Sequence, residues 1–124
     1  MKTKLLANDF AVEIQDVDLE SLDDATFDAL REVWMRYKVA VFRDQVISDE
    51  ALIDFTKRLG PLFVHVRDES HDLHRPEMMF VSNVKEEGKG NGILGNGDLR
   101  WHTDQSYTPR PERAECQPNR SLPR

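Results

Sequence analysis

The order of apolar and polar residues predicts the first elements of the chain. Residues 10–14 alternate weakly between the two classes, which is typical of a short strand. Ser21 and Asp24 then resemble a capping box at the start of a helix. An amphipathic helix is predicted over residues 23–37 because apolar residues recur there at helical spacing, namely Phe27, Leu30, Val33, Trp34 and Tyr37.

A second strand and helix follow. Residues 39–42 form a continuous apolar, β-prone run of the kind buried inside a sheet. Ser48 suits an N-cap, and Gly60 followed by Pro61 suits a helix end. The sequence therefore predicts a helix over residues 49–59, with an apolar face of Leu52, Phe55 and Leu59.

The pattern is weaker in the second half of the chain. It predicts, in order, a strand over 62–66, a polar loop over 68–76, a strand over 78–84 and a glycine-rich loop or ragged hairpin over 85–98. The run 101–107 is treated as a strand. Residues 108–124 contain four prolines and four arginines without periodicity, which predicts an unpacked tail.

Composition limits the classes of protein to consider. The 124 residues suffice for one ordinary domain, and 39% of them are hydrophobic. A net charge of −6 argues against a general nucleic-acid binder and against binding to an anionic membrane. No apolar run reaches the length of a membrane-spanning helix, and the single cysteine, Cys116, has no internal disulfide partner. We expect a cytoplasmic protein.

His102 and Asp104 are the residues with the clearest potential for chemistry. In a strand, residues two apart project from the same face, so an imidazole and a carboxylate would lie side by side. These are two of the three ligands in the 2-His-1-carboxylate triad of non-heme Fe(II). The alternative is a His–Asp hydrogen bond on a surface strand.

Three sequence blocks carry a resemblance to a known family. Residues 97–107, followed by Pro109-Arg110-Pro111, resemble the iron-binding segment of the TauD/TfdA family of Fe(II)- and 2-oxoglutarate-dependent dioxygenases. Val39-Ala40-Val41-Phe42-Arg43-Asp44-Gln45 resembles the early strand and turn of those enzymes, and residues 55–62 resemble the helix end that follows. The blocks stand in the order of the family and together span residues 10–112.

The resemblance implies a function and a set of site residues. His102 and Asp104 would bind Fe(II), with 2-oxoglutarate as co-substrate and O₂ and a small organic molecule as substrates. The products would be a hydroxylated substrate, succinate and CO₂. His65 and Asp98 match positions that contact substrate in some relatives, although Asp98 also suits a turn after Gly97. Asn83 is interpreted as a strand-end residue that would shape the pocket.

The implied fold is α+β, namely the N-terminal part of a double-stranded β-helix (jelly-roll) that is incomplete in this chain. Residues 1–113 would belong to the dioxygenase domain, and residues 114–124 would be an atypical, disordered or out-of-frame tail. A homo-oligomer is compatible with the resemblance.

The resemblance also implies further site residues, which the 124 residues do not contain at the expected positions. The family uses a distal His as the third iron ligand, together with a Thr and an Arg that contact 2-oxoglutarate. No His follows Asp104. We therefore expect a truncated fragment of a dioxygenase; the alternative is an inactive remnant or interaction module. A further hypothesis completes the site with an upstream histidine, namely His65, His71 or His74.

Overall fold

The computed structural model describes residues 1–64, 71–72, 74–79, 81, 85–86, 89–90, 105 and 107–118. The chain divides into two compact units, Met1–Leu59 and Gly60–Arg124. Neither of the helices in the described part of the chain is long and apolar enough to cross a membrane.

The first unit contains three strands and two helices. In chain order these are β1 (Lys2–Ala7), β2 (Ala11–Gln15), α1 (Asp24–Tyr37), β3 (Val39–Val41) and α2 (Asp49–Leu59). The two helices and the strand after residue 10 confirm the sequence predictions.

The three strands form a sheet in the order β1-β2-β3. β1 pairs antiparallel with β2, and Leu5 lies opposite Val12. β3 runs parallel to β2, with Ala40 opposite Val12, and α1 provides the crossover that a parallel pair requires. β3 therefore lies at an edge of the sheet that the described residues form, and Val39 is 38% exposed. The strand predicted at residues 39–42 is confirmed over Val39–Val41, but its side chains are exposed or half-buried and the central strand is β2.

β1 was not expected from the sequence. All six of its side chains are exposed, so it lacks the apolar alternation that marks a half-buried strand. A tight turn connects it to β2, with Asn8 and Asp9 at positive φ (28° and 56°). The Phe10 N–H donates to the Ala7 carbonyl at 2.7 Å. Asn and Asp tolerate this backbone region better than most residues, which explains why they occupy the turn.

The cap of α1 differs from the predicted capping box. Asp23 is the N-cap, and its carboxylate accepts hydrogen bonds from the Thr26 N–H at 2.8 Å and the Thr26 hydroxyl at 3.0 Å. The Ser21 hydroxyl instead donates to Asp18. Ser21 and Asp23 both have side-chain oxygens that can cap a helix, and Asp23, the later of the two, caps α1.

α2 begins and ends where the sequence predicts. The Ser48 hydroxyl oxygen accepts a hydrogen bond from the Ala51 N–H at 3.3 Å, as expected of an N-cap. Its buried residues are Ile53 and Phe55, whereas Leu52 and Leu59 are only half-buried. The predicted apolar face was therefore right only at Phe55.

The core of the first unit lies between the sheet and the helices. α1 packs on β2 and β3. The Phe55 ring meets Phe27 and Phe42 edge-to-face, with ring centroids 5.8 Å and 6.3 Å apart. The buried apolar residues among those described are Val12, Ile14, Phe27, Leu30, Ile53 and Phe55.

The second unit contains two short hairpins in its described part. β4 (His71–Asp72) pairs antiparallel with β5 (Arg75–Met79), and β6 (Lys85–Glu86) pairs antiparallel with β7 (Lys89–Gly90). The second pair confirms a ragged hairpin at the start of the glycine-rich segment.

Three predictions for the second unit need correction. The predicted loop over 68–76 contains β4 and the start of β5, and the strand predicted over 78–84 ends at Met79. Residues 62–64 form no strand, and both Phe63 and Val64 are at least one-third exposed. Residues 62–64 are all apolar and do not alternate with polar residues, so the local pattern could not show whether they pair in a sheet. Residues 107–118 form turns, bends and irregular chain, with mostly exposed side chains, as expected of a segment without periodicity.

Candidate functional site

The residues predicted to form the site lie outside the part of the chain that the structure describes. This holds for His65, Asn83, Asp98, His102 and Asp104. Of the alternative histidine ligands, His71 lies in β4 and His74 is an exposed turn residue. The described residues contain no group of three His, Cys, Asp or Glu side chains suited to a metal ion. That search does not reach His102 and Asp104, which remain predicted ligands.

Gln105, which directly follows Asp104 in the chain, is described. Its φ is 51°, in the left-handed region that residues other than glycine rarely adopt. Its carbonyl accepts hydrogen bonds from the Thr108 N–H at 2.9 Å and the Thr108 hydroxyl at 3.0 Å. Gln105 therefore lies in a tight turn, and the strand expected over 101–107 does not extend through Gln105 and Tyr107.

The side chain of Gln105 is buried, at 7% exposure. Its Nε2 donates to Glu112 Oε1 at 2.7 Å. Because a carboxylate can only accept hydrogen bonds, this contact also determines which end of the amide faces Glu112. The Oε1 of Gln105 is buried and has no hydrogen-bond partner among the described residues.

Tyr107, on the far side of the same turn, is 70% exposed. The turn at Gln105 changes the chain direction, so the period of two that would place Tyr107 on a strand face does not apply to it.

The block Arg43-Asp44-Gln45 has a structural role in the first unit. Gln45 Oε1 accepts a hydrogen bond from the Leu19 N–H at 3.0 Å, and Gln45 Nε2 donates to the Val17 carbonyl at 3.2 Å. A third hydrogen bond runs from Nε2 to the Arg43 carbonyl at 3.0 Å. The side chain therefore joins the turn after β3 to the loop before α1.

Arg43 contacts a buried carboxylate on β2. Its Nε donates to Glu13 Oε2 at 3.3 Å, while Gln15 Nε2 donates to Glu13 Oε1 at 2.7 Å. The hydrogen bond from Gln15, followed by that from Arg43, holds the pKa of Glu13 below its usual value despite the opposing effect of burial. Glu13 is therefore charged and paired at neutral pH.

Arg58, in the block at residues 55–62, joins the two helices. Its Nη1 donates to the Leu22 carbonyl at 3.1 Å, and its Nη2 pairs with Asp24 at 2.6 Å. Its guanidinium lies 4.0 Å from the centre of the Phe27 ring. In the described structure, both this block and the Gln45 block stabilise the first unit.

An open groove runs between residues 19–22 and α2. Its walls include Glu20 and Arg58. Glu20 accepts hydrogen bonds from the Ser48 N–H and hydroxyl, and Arg58 contacts Leu22 and Asp24. Asp54, also in the wall, pairs with Lys57 at 3.1 Å. The polar side chains named here stabilise the loop and the helix, so the groove does not suggest a second functional site.

Comparison with known proteins places these observations in a family. Residues 2–116 match the model of the taurine catabolism dioxygenase TauD, TfdA family. The chain belongs to this family. The match covers both units and includes His102, Asp104 and Gln105.

Two relatives illustrate the match. The (S)-phenoxypropionate/alpha-ketoglutarate-dioxygenase of Sphingobium herbicidovorans is 32% identical over 108 residues, which cover 81% of this chain and 33% of the relative. The alpha-ketoglutarate-dependent 2,4-dichlorophenoxyacetate dioxygenase of Cupriavidus pinatubonensis is 30% identical over 108 residues, covering 79% of this chain and 38% of the relative. The chain therefore spans about a third of the length of these relatives.

A solved structure supports the fold. The chain is similar to a Burkholderia xenovorans protein described as an alpha-ketoglutarate-dependent taurine dioxygenase, with a TM-score of 0.61 and 23% identity. The similarity covers 68% of this chain and 31% of that protein. The mixed α/β arrangement is therefore that of the corresponding part of a taurine dioxygenase fold. Dioxygenases of this family use Fe(II) and 2-oxoglutarate.

Proposed function

We propose that the chain is the N-terminal portion of an Fe(II)- and 2-oxoglutarate-dependent dioxygenase that hydroxylates a small organic substrate and releases succinate and CO₂. The observation that carries this proposal is the family match over residues 2–116, which contains the His102-x-Asp104 pair. Relatives named as alpha-ketoglutarate-dependent dioxygenases support the same reaction class.

The chemistry of the predicted donors fits the metal. His102 offers an imidazole nitrogen and Asp104 a carboxylate oxygen, which together match two of the three groups that hold non-heme Fe(II). Fe(II), with 2-oxoglutarate and O₂, would supply the oxidising chemistry. The contribution of these two side chains would be to bind the ion.

The substrate contacts are proposed from the same resemblance for His65 and Asp98, and from a place at a predicted strand end for Asn83. His65, Asp98 and Asn83 would line or shape the substrate site, and Asp98 lies only four residues before His102 in sequence. The names of the relatives include a phenoxypropionate, a dichlorophenoxyacetate and a sulfonate dioxygenase. We therefore propose small organic anions as the first substrates to screen.

Titration with Fe(II) under anaerobic conditions tests the ligand assignment. We expect the wild-type chain to bind Fe(II) and Asp104→Asn to bind it much more weakly, because a neutral amide stabilises the cation less than a carboxylate does. Asp28→Asn, which makes the same change at an exposed position in α1, is the matched control. Equal Fe(II) affinity in the wild type and in Asp104→Asn would contradict the assignment.

Repeating the titration with 2-oxoglutarate tests how much of the site the 124 residues contain. Binding that 2-oxoglutarate strengthens would mean that an upstream histidine or a second chain completes the site. Binding that is indifferent to 2-oxoglutarate would mean that these residues supply His102 and Asp104 only, as the fragment proposal requires.

The alternative is a catalytically inactive remnant or interaction module. Formation of succinate that depends on both Fe(II) and a substrate would exclude this alternative. Failure of the chain to bind Fe(II) would favour it.

A further inference from the structure

The turn after β3 is attached to two different segments of the first unit. Arg43 contacts β2, where its Nε donates to Glu13 Oε2 at 3.3 Å. Gln45 contacts the loop before α1, where it binds the Leu19 N–H and the Val17 carbonyl. Gln45 Nε2 also donates to the Arg43 carbonyl at 3.0 Å, so the two attachments are joined within one short segment.

Asp44, between these two residues, has a backbone conformation that its surroundings maintain. Its φ is 56°, in the left-handed region that few residues other than glycine adopt. Such a conformation persists where neighbouring contacts impose it. Here the side chains of Arg43 and Gln45 fix the residues on either side of Asp44. Loss of either attachment would therefore allow the turn to relax.

The Glu13 carboxylate needs its charge to bind both of its donors. Gln15 Nε2 donates to Oε1 at 2.7 Å and Arg43 Nε donates to Oε2 at 3.3 Å, so each oxygen accepts one bond. A neutral carboxyl or amide group carries a donor on one side and cannot offer both donors a full acceptor. Arg43 is the partner that would be released, since its bond is the longer one and its side chain is 63% exposed.

The groups around Glu13 keep it ionised at neutral pH. The hydrogen bond from Gln15, followed by the contact with Arg43 and the charge of Lys4, holds the pKa of Glu13 below its usual value although burial opposes this. Lys4 lies opposite Glu13 on β1. α1 packs on β2 but adds no charged group that shifts the pKa of Glu13. Glu13 therefore loses its charge only as the pH falls through this lowered pKa.

We propose that the turn Arg43–Gln45 is a charge-dependent latch: it holds the loop before α1 in place while Glu13 is ionised and releases that loop when Glu13 is neutral. Glu13 makes no hydrogen bond or ion pair with the described residues 17–19. Its charge therefore reaches Leu19 through Arg43 and Gln45. The latch lies wholly in the first unit, so its test is independent of the proposed function.

Hydrogen exchange at the Leu19 amide, followed by NMR in the full chain at a fixed neutral pH, tests the latch. Glu13→Gln removes the charge and keeps the shape of the side chain, and Arg43→Met removes the donor and keeps an unbranched stem. We expect each variant to accelerate exchange at Leu19 about two- to a hundred-fold, the range of coupling between groups in one hydrogen-bond network. Lys57→Met, which breaks an exposed ion pair with Asp54, is the control and should leave this exchange unchanged.

A double variant tests whether the effect passes through Gln45. Once Gln45→Ala has removed the hydrogen bonds to the loop, adding Arg43→Met should accelerate exchange at Leu19 no further. If the two changes multiply instead, Arg43 acts independently of Gln45 and the latch is wrong. Leu19 should also exchange faster than the buried Leu30 in the wild type, because local opening needs less free energy than unfolding of the whole unit.

The remaining outcomes decide the charge dependence. Unchanged exchange at Leu19 in Arg43→Met would overturn the latch, and acceleration in Arg43→Met but not in Glu13→Gln would overturn its dependence on charge. Equal exchange at Leu19 and Leu30 in the wild type would show that the loop opens only with the whole unit, which also contradicts the latch. If Glu13→Gln does not fold, acidification replaces it: the protection of Leu19 should fall through the pKa of Glu13 in the wild type and stay level in Arg43→Met.

Discussion

Replacing Gln45 tests whether one side chain secures the loop before α1. The amide makes hydrogen bonds to Leu19, Val17 and Arg43, all with backbone groups. Gln45→Ala removes these bonds and leaves the Leu19 N–H and the Val17 carbonyl without this partner. Both groups are part-buried where they meet Gln45, so water replaces the lost bonds only in part.

The expected cost follows from the two part-buried hydrogen bonds. Each contributes about 0.5–1.5 kcal/mol net, so Gln45→Ala should destabilise the loop by about 1–3 kcal/mol. The more exposed bond to Arg43 should add little. Because 1.4 kcal/mol corresponds to a factor of about ten, amide exchange at Leu19 should accelerate by roughly five- to 150-fold.

Hydrogen exchange followed by NMR measures this effect at the Leu19 amide itself. In Gln45→Glu the side chain has nearly the same shape and keeps an acceptor for the Leu19 N–H, but it no longer donates to the Val17 and Arg43 carbonyls. Destabilisation by this variant would identify hydrogen bonding, and not packing, as the cause. Val46→Ala, at a neighbouring position that is 93% exposed, is the control and should change stability by less than about 0.5 kcal/mol. Unchanged exchange at Leu19 in Gln45→Ala would refute the reasoning.

Two further predictions concern the first unit. Leu30 is 1% exposed, so Leu30→Ala should lower the free energy of unfolding by about 2–5 kcal/mol in urea denaturation, whereas Met35→Ala, on the exposed side of α1, should have little effect. The hydrogen bond from the Thr26 N–H, followed by that from its hydroxyl, lowers the pKa of Asp23, so its capping contribution is complete above the unfolded-state pKa and is lost as the pH falls through the lowered folded-state pKa. Circular dichroism during acid titration should show less acid-induced loss of helix in Asp23→Asn than in the wild type; the same loss in both would contradict this role.

Local signals predicted where both helices lie but not which residue caps α1. α2 was predicted with its observed bounds because Ser48 caps its start and Pro61 follows its end, and neither signal needs tertiary contacts. The cap of α1 was misplaced because Ser21 and Asp23 both carry capping oxygens. Which of them meets the free backbone N–H groups depends on where the preceding loop is held, and Arg58 on α2 holds that loop at the Leu22 carbonyl.

For the candidate site, too, the sequence predicted some features and only the structure revealed others. Sequence alone predicted the type of chemistry, because an imidazole and a carboxylate are groups that can bind a metal ion and the block that contains them resembles the iron-binding segment of the family. It offered no signal for Gln105, since nothing in the residue type indicates a positive φ or a buried amide. Those properties come from Glu112 and Thr108, which meet Gln105 only when the chain turns.

By itself, then, the sequence determined the two helices, the strand at the centre of the first sheet and the family, and it predicts the iron ligands. Only the tertiary structure decided that β1 joins the sheet, that β3 lies at its edge, and that Gln45, Arg58 and Gln105 stabilise neighbouring segments. The physical reason is the range of the interactions. Caps and helical periodicity act within a few residues, whereas strand pairing and these side-chain bonds join segments whose proximity exists only after folding.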